Sequence, residues 1–172
     1  LELLRKKETK ATFFVVGELL EYKPELLDLI LENDHEIGFH TMKHDRIDSS
    51  ISKEEFDEEV KKFAKLTNGK SKGFRAPSFS LNMNSSWAID VLKENGYIYD
   101  SSVVPAKTSL YGIPDAETKP YKISSQNLKN NSDDGKILEF PLLVTRFFGK
   151  KIPAAGGFYL RTLPTRVIEN AI

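Results

Sequence analysis

The chain has 172 residues and a mass of 19.5 kDa, a length that favours a single domain with a sizeable buried core. Its 25 basic and 25 acidic residues give zero formal net charge, which argues against a general nucleic-acid binder. The absence of cysteine excludes disulfide scaffolds, thiolate zinc sites and cysteine nucleophiles. No apolar run approaches the roughly 20 residues that a membrane span needs. No signal peptide is visible, so the default compartment is the cytoplasm, and the sequence does not indicate an oligomeric state.

The first half of the chain alternates predicted strands with predicted helices. Residues 11–16 form a continuous apolar and β-branched run, which is typical of a strand buried on both faces in a parallel sheet. Pro24 is tolerated in a first helical turn and begins a helix with apolar residues on one face. Residues 36–39 form a second strand candidate. Ser52 and Glu55 make a capping box, which predicts the start of another helix.

The alternation continues and then loosens after residue 102. An apolar stripe beginning at Trp87 predicts a helix that ends at Gly96, and the polar, proline-containing segment 103–135 predicts an excursion of loops. Further strands are predicted at 73–75, 97–100, 137–140 and 144–148. Residues 1–7 and the residues after Pro164 are predicted helices that the chain ends interrupt, so we expect a piece of a longer domain. The order of elements predicts an α/β fold with a parallel sheet or barrel. The residues expected to be buried are Phe13, Val15, Ile37, Phe56, Val60, Val91 and Leu92.

The three histidines of the chain, His35, His40 and His44, fall within ten residues. His40 and His44 directly follow a predicted strand, and a spacing of four brings two imidazoles to one side of a helical turn, where they can share a metal ion. Parallel α/β folds place their sites at the carboxyl ends of strands. From the spacing alone, two unrelated surface histidines are an equal alternative.

Two further charged residues follow predicted strands. Arg75 is a permanent cation that can grip a carboxylate and lower its pKa, although a solvated loop arginine is an equal alternative. Ser78, the residue after Pro77, can present its backbone N–H to the same site. Asp100 can be a metal ligand, a partner of Arg75 or the cap of the following turn, and the local sequence favours the cap.

Three motifs together resemble the polysaccharide deacetylases, the NodB-homology domain of carbohydrate esterase family four. They are Lys-Ala-Thr-Phe-Phe-Val-Val-Gly at 10–17, His-Glu-Ile-Gly-Phe-His-Thr-Met-Lys-His at 35–44 and Phe-Arg-Ala-Pro-Ser-Phe-Ser at 74–80. The resemblance implies a distorted, incomplete (β/α) barrel with parallel strands. It further implies that residues 1–172 form a single catalytic domain that hydrolyses acetyl groups of N-acetylated sugars with the help of a metal ion.

The resemblance also implies roles for individual residues. His40 and His44 correspond to two of the three ligands of zinc or another divalent transition metal, the third being an Asp. Arg75 corresponds to the residue that orients the catalytic base, with Asp100 as a candidate partner. Ser78 stands where the family often has a Tyr whose backbone N–H stabilises the oxyanion. The expected partner is a carbohydrate, an N-acetylated amino sugar.

The chain departs from the family pattern at two motifs. The chain contains no first strand motif with its pair of Asp residues, which would lie before Leu1. It also contains no C-terminal motif with its general-acid His, because no His follows His44. We therefore expect this chain alone to be weak or inactive. Two alternatives remain, a hydrolase of small cyclic amides on the same fold and a non-catalytic carbohydrate-binding module. An Asp-Asp-Gly upstream of Leu1 would favour the enzyme.

Overall fold

Strands and helices alternate along the chain in a computed structural model that describes residues 1–135, 137–147 and 149–171. Within these ranges the strands are β1 (Thr12–Val15), β2 (Glu36–Phe39), β3 (Gly73–Phe74), β4 (Tyr99–Asp100), β5 (Tyr121–Ile123), β6 (Ile137–Glu139), β7 (Val144–Phe147) and β8 (Lys150–Pro153). The helices are α1 (Glu2–Lys6), α2 (Gly17–Tyr22), α3 (Glu25–Glu32), α4 (Lys53–Leu66), α5 (Trp87–Glu94), α6 (Gly157–Thr162) and α7 (Thr165–Glu169).

Six of the strands form one sheet in the order β1-β2-β3-β4-β6-β5. All neighbours pair in parallel except β5, which lies antiparallel to β6 at one edge. The sheet stays open among the described residues, with β1 at its other edge, while β7 and β8 form a separate hairpin. The predicted α/β class, an incomplete barrel with mostly parallel strands, is therefore confirmed.

The core lies between the sheet and its helices and is centred on Phe39 at the end of β2. The Phe39 ring centroid is 4.7 Å from that of Phe63, 5.6 Å from that of Phe74 and 6.2 Å from that of Phe56. Phe56 and Phe63 project from α4, whose first turn is closed by the predicted capping box of Ser52 and Glu55. The amphipathic pattern of α4 thus places its aromatic face on the strand that leads to the histidines.

Five of the seven residues expected in the core are buried, namely Ile37, Phe56, Val60, Val91 and Leu92. Phe13 and Val15 are only partly buried, although both pack against the core. The expectation that their strand is buried on both faces is wrong, because Thr12 is exposed and the other three residues of β1 are only partly buried. Among the described residues β1 is an edge strand that pairs with β2 alone. Edge strands keep part of their surface outside the sheet.

Four elements were not predicted from the sequence. The helix α2 follows β1 directly, the strand β5 lies inside the expected loop excursion, and β8 and α6 follow the strand that was predicted at 144–148. In β5 the residues Tyr121 and Ile123 are buried and Lys122 is exposed, a period-two pattern too short to stand out among polar neighbours. Residue 148 of a predicted strand and residue 172 of the last predicted helix lie outside the described residues. Among the described helices, none is both long and apolar enough to cross a membrane.

Replacing Phe39 by Ala removes the ring that joins α4 to the sheet. We expect Phe39→Ala to lower the free energy of unfolding by about 3–5 kcal/mol, the usual cost of deleting a buried aromatic ring. Leu29→Ala on the exposed face of α3 is the matched control and should change it by about 0.5 kcal/mol or less. Urea denaturation followed by far-UV circular dichroism measures both, and equal losses would contradict the central position of Phe39.

Candidate functional site

His40 and His44 lie side by side at the carboxyl end of β2. Their ring centroids are 4.9 Å apart with an interplanar angle of 69°. The prediction that the two rings are close is confirmed, but the predicted helical turn is wrong, because residues 40–44 form an irregular loop. Two residues of this loop, Thr41 and His44, adopt left-handed backbone conformations with φ of 56° and 65°.

The left-handed conformation of Thr41 is costly for a β-branched residue, at about 1–3 kcal/mol, and persists only where the surroundings fix it. The first amides of α2 provide such contacts: Gly17 N–H donates to the Thr41 carbonyl at 3.0 Å and Glu18 N–H to the Met42 carbonyl at 2.9 Å. A Cβ atom on Gly17 would lie 2.1 Å from Met42 Sδ and 3.3 Å from Met42 Cα, so this close approach requires glycine.

Glu59 of α4 supports the same loop from the other side. The Glu59 side chain is partly buried, and its Oε2 accepts a hydrogen bond from Met42 N–H at 2.9 Å. Burial raises the pKa of Glu59, and the negative charge of Asp45 adds to this effect. Glu59 carries no distinguishing signal in the sequence, because a helical Glu beside other acidic residues is typical of a solvated face.

A hydrogen bond joins His40 to the next strand end. The distance from His40 Nδ1 to the backbone oxygen of Arg75 is 2.6 Å. A carbonyl oxygen only accepts, so Nδ1 carries the hydrogen and Nε2 of the neutral ring keeps its lone pair. Burial lowers the pKa of His40, and the charges of His44 and Arg75 lower it further, against the opposing effect of this hydrogen bond. The ring is therefore held neutral and oriented, as a metal ligand must be.

The Arg75 guanidinium lies at the same edge of the sheet, where it binds the following strand end. Nε donates to the Ser101 carbonyl at 2.9 Å and Nη2 donates to Ser101 Oγ at 2.6 Å. The guanidinium carbon also lies 4.3 Å from the centroid of the Phe14 ring, within cation–π range. Burial lowers the pKa of Arg75, while the negative charge that the buried carboxyls of Asp100 and Glu139 hold between them opposes this shift.

Asp100 faces away from Arg75. Phe74 and Asp100 are register partners, and side chains alternate between the two faces of a strand, so Arg75 and Ser101 share the opposite face. The Asp100 carboxylate accepts hydrogen bonds from Ser102 Oγ at 2.5 Å and from Ser102 N–H at 3.3 Å. Asp100 therefore caps the turn that follows it, as the local sequence favoured, and it forms no hydrogen bond with Arg75, which binds Ser101 instead.

A second buried carboxyl, Glu139, contacts Asp100 and was not foreseen. The two are register partners on β4 and β6, and both are fully buried. Glu139 Oε1 accepts a hydrogen bond from Val103 N–H at 3.0 Å. Burial raises the pKa of both carboxyls, and the neighbouring Asp100 raises that of Glu139 well above its usual range. Of the two carboxyls, Glu139 has the more strongly raised pKa, so it is the one that retains a proton, and its Oε2 is buried without a hydrogen-bond partner among the described residues. An acidic residue at the end of an apolar strand is the signal that could have found it.

Ser78 lies exposed after Pro77 in a short 3₁₀ segment, Pro77–Phe79, with φ of 53°. The next residue, Phe79, is also left-handed, with φ of 51°. Two consecutive non-glycine residues in this region are rare, and such strain concentrates at functional sites. The role of the Ser78 N–H as an oxyanion donor stays a prediction.

The described residues only partly fit a catalytic zinc ion, which normally takes three protein ligands. His40 and His44 offer two imidazoles, and His35 lies at the opposite end of β2 with its ring 5.4 Å from Phe13. Across residues 1–135, 137–147 and 149–171, no group of three or more histidine or carboxylate side chains is placed to hold a metal ion. The pair is therefore an incomplete ligand set.

Comparison with known families divides the chain into two segments. The sequence profile of a family described as polysaccharide deacetylase matches residues 1–99, and that of a domain of unknown function (DUF3473) matches residues 101–172. A peptidoglycan-N-acetylglucosamine deacetylase from Bacillus cereus is 34% identical over 100 residues, which cover 56% of this chain and 45% of that relative. The match thus spans less than half of the curated relative.

Solved structures share the fold. A proposed polysaccharide deacetylase from Mycobacterium smegmatis has a TM-score of 0.62 at 20% identity, covering 91% of this chain and 49% of that one. PuuE allantoinase has a TM-score of 0.58 at 18% identity, covering 82% and 41% of the two chains. A family 4 carbohydrate esterase from Streptomyces lividans has a TM-score of 0.52 at 19% identity, covering 58% and 52%.

Glu139→Gln tests the protonation state of the buried pair. Because the pKa of Glu139 is raised in the folded state, its stabilising effect is complete below the ordinary value of 4.5 and is lost as the pH rises toward the folded value. Gln has nearly the same shape and is neutral at every pH. We expect the free energy of unfolding of Glu139→Gln to rise relative to that of the native chain as the pH increases from 4 to 8.

Urea midpoints measured across this pH range provide the comparison. Glu94→Gln, on the exposed surface of α5, is the matched control and should follow the native chain. Parallel pH profiles for Glu139→Gln and the native chain would show that Glu139 is ionised in the fold.

Glu59→Ala tests the support of the histidine loop. Loss of the acceptor for Met42 N–H should raise the hydrogen-exchange rate of that amide by about three- to tenfold, in line with one net hydrogen bond. Glu59→Gln keeps an acceptor oxygen and should retain most of the protection. Glu58→Ala, on the exposed side of α4, is the control. Unchanged exchange at Met42 in Glu59→Ala would contradict the supporting role.

Proposed function

Because the chain belongs to the polysaccharide deacetylase family, we propose that it is part of a hydrolase that removes acetyl groups from N-acetylated amino sugars. The observation that carries the proposal is the His40–His44 pair, tied through His40 Nδ1 to the strand end that bears Arg75. The deacetylase activity for which the Bacillus cereus relative is named supports a C–N bond in an acetamido group as the target.

The proposal includes zinc or another divalent transition metal as the ion that His40 and His44 bind. Neutral imidazole is a good ligand for such ions, and the orientation of His40 by the Arg75 carbonyl favours Nε2 as its ligating atom. A bound ion of this type would polarise the acetamido carbonyl. Since two imidazoles are one ligand short of the usual set, we expect this chain alone to bind zinc weakly and to hydrolyse slowly or not at all.

The remaining roles concern charge and hydrogen bonding. Arg75 is a partly buried cation whose hydrogen bonds to Ser101 fix its position, and it is suited to orienting a catalytic carboxylate. The exposed Ser78 is suited to donating its backbone N–H to an oxyanion. Asp100 acts on Arg75 through its charge, across the sheet and without a direct hydrogen bond.

Two other functions compete with this one. The likeness to PuuE allantoinase concerns the fold, so it does not by itself favour a cyclic amide as substrate. The incomplete ligand set among the described residues is the specific observation that favours a non-catalytic carbohydrate-binding module. Such a module would bind an acetylated glycan and release no acetate, even from a chain extended at both ends.

Zinc titration and acetate release test the proposal. We expect His40→Ala and His44→Ala each to weaken zinc binding at least about tenfold, since each removes one of two ligands. His35→Gln is the control and should bind as the native chain does. On an acetylated amino-sugar oligomer with added zinc, a chain extended at both ends should release acetate at least about a hundredfold faster, the usual contribution of one acid–base group.

Two outcomes would contradict these assignments. Acetate release that is measurable and equally fast in the short and extended chains would show that carboxylates inside the 172 residues, such as Asp45 or Asp100, serve as ligand or base. Unchanged zinc affinity in both histidine variants would remove the pair as a metal site.

A further inference from the structure

A groove of about 430 Å³ opens beside the histidine loop. It is bounded by the residues after His44, the residues after Arg75 and the loop 107–114. Its main side chains are Arg46, Asp48, Phe79, Asn82, Lys107 and Tyr111, and we call it the Tyr111 groove. Its volume lies within the roughly 300–1,000 Å³ of small-molecule sites. The 107–114 loop belongs to the segment matched by the domain of unknown function.

The apolar wall of the groove continues from the candidate site. The Phe79 ring centroid lies 5.9 Å from the Arg75 guanidinium carbon and 5.2 Å from the Tyr111 ring, at an interplanar angle of 54°. Phe79 and Tyr111 both pack on the small apolar cluster of Val104, Ala106 and Leu142 while remaining partly exposed. The left-handed backbone at Phe79 is thus held in place by packing, with ring surface left open to the groove.

The polar side of the groove presents hydrogen-bond donors. Arg46 binds Asp48 through two hydrogen bonds, of 3.0 and 2.7 Å. Asp48 also accepts from Ser49 Oγ and from Asn82 Nδ2, both at 3.1 Å, which fills the roughly four acceptor positions of a carboxylate. Arg46 retains unused N–H groups, and Lys107 is exposed and forms no ion pair within the described part of the chain. A ligand here meets donors and aromatic faces.

We infer that the Tyr111 groove binds a saccharide ring of the glycan chain next to the residue that is deacetylated. A pyranose combines an apolar C–H face, which fits against an aromatic ring, with oxygen acceptors around its edge, which fit Lys107 and Arg46. The inference rests on the proposed function for the identity of the polymer. Because Lys107 and Tyr111 belong to the segment matched by the domain of unknown function, the inference assigns glycan binding to that segment.

The position of the groove explains why a longer glycan would use it. The Phe79 ring lies near both the Arg75 guanidinium and the Tyr111 ring, so a glycan that extends from the Arg75 side past Phe79 would reach the groove. A single sugar at the histidines leaves the groove empty. Affinity should therefore depend on oligomer length, and that dependence should reside in Tyr111.

The experiment is a titration of the ¹⁵N-labelled chain with N-acetylglucosamine and with its β-1,4-linked tetramer, followed by NMR shifts at Tyr111 and Gly112. We expect the tetramer to bind at least tenfold more tightly than the monomer. Tyr111→Ala should weaken tetramer binding by about three- to tenfold, the usual range for one aromatic face, and leave monomer binding unchanged. Tyr111→Phe keeps the ring and should bind the tetramer as the native chain does.

Tyr22→Ala, on an exposed tyrosine of α2 outside the groove, is the control, and urea midpoints verify that each variant is folded. Equal affinities for monomer and tetramer, or native tetramer affinity in Tyr111→Ala, would overturn the inference. Length-dependent binding through Tyr111 without acetate release from any form of the chain supports the groove and contradicts the deacetylase. If acetate is released and its rate still depends on oligomer length in Tyr111→Ala, the result supports the deacetylase and contradicts the groove.

Discussion

The parallel register of β2, β3 and β4 is the constraint on which the candidate site depends. It places the first residues after these strands, His40, Arg75 and Ser101, next to one another. The backbone hydrogen bonds continue past the strand ends, because Arg75 N–H donates to the Phe39 carbonyl at 3.0 Å and Ser101 N–H donates to the Phe74 carbonyl at 2.9 Å. With the backbones locked in this way, the His40 ring reaches the Arg75 carbonyl and the Arg75 guanidinium reaches Ser101. The aromatic core under β2 keeps this register, so site geometry and stability are coupled through the same strands.

Alternation along the strands separates opposite charges onto two faces of the sheet. Arg75 is on the face with Ser101, while Asp100 and Glu139 are buried on the other face, where no cation among the described residues binds them directly. Burying two carboxyls is costly unless a proton is shared between them, because two ionised groups in contact repel. A pair holding one proton keeps a single negative charge, which still attracts the Arg75 guanidinium through the sheet. The pair therefore offsets part of the burial cost of Arg75 without occupying its hydrogen-bond donors.

Sequence patterns predicted five of the six strands of the main sheet and the closeness of His40 and His44. The apolar runs and the capping box at Ser52 located β1, β2 and α4, because each signal is local and strong. The proximity of His40 and His44 followed from their place after a strand, but the loop conformation did not, since it depends on amides of α2 and on Glu59, which are distant in sequence. Glu139 was missed for the same reason: its partner lies on another strand, and only the register brings the two together.

The junction between the two matched segments runs through the sheet itself. β4 ends at Asp100, where the deacetylase match has just ended, yet its hydrogen-bonded neighbour is β6 from the second segment. Phe140 N–H donates to the Asp100 carbonyl at 2.8 Å, and the buried carboxyl pair spans the same boundary. The Tyr111 groove repeats the arrangement at the surface, with Phe79 from one segment against Tyr111 from the other. Separating the segments would expose a strand edge and leave Asp100 without its proton-sharing partner. This interdependence makes the second segment a structural part of the site at the end of the first.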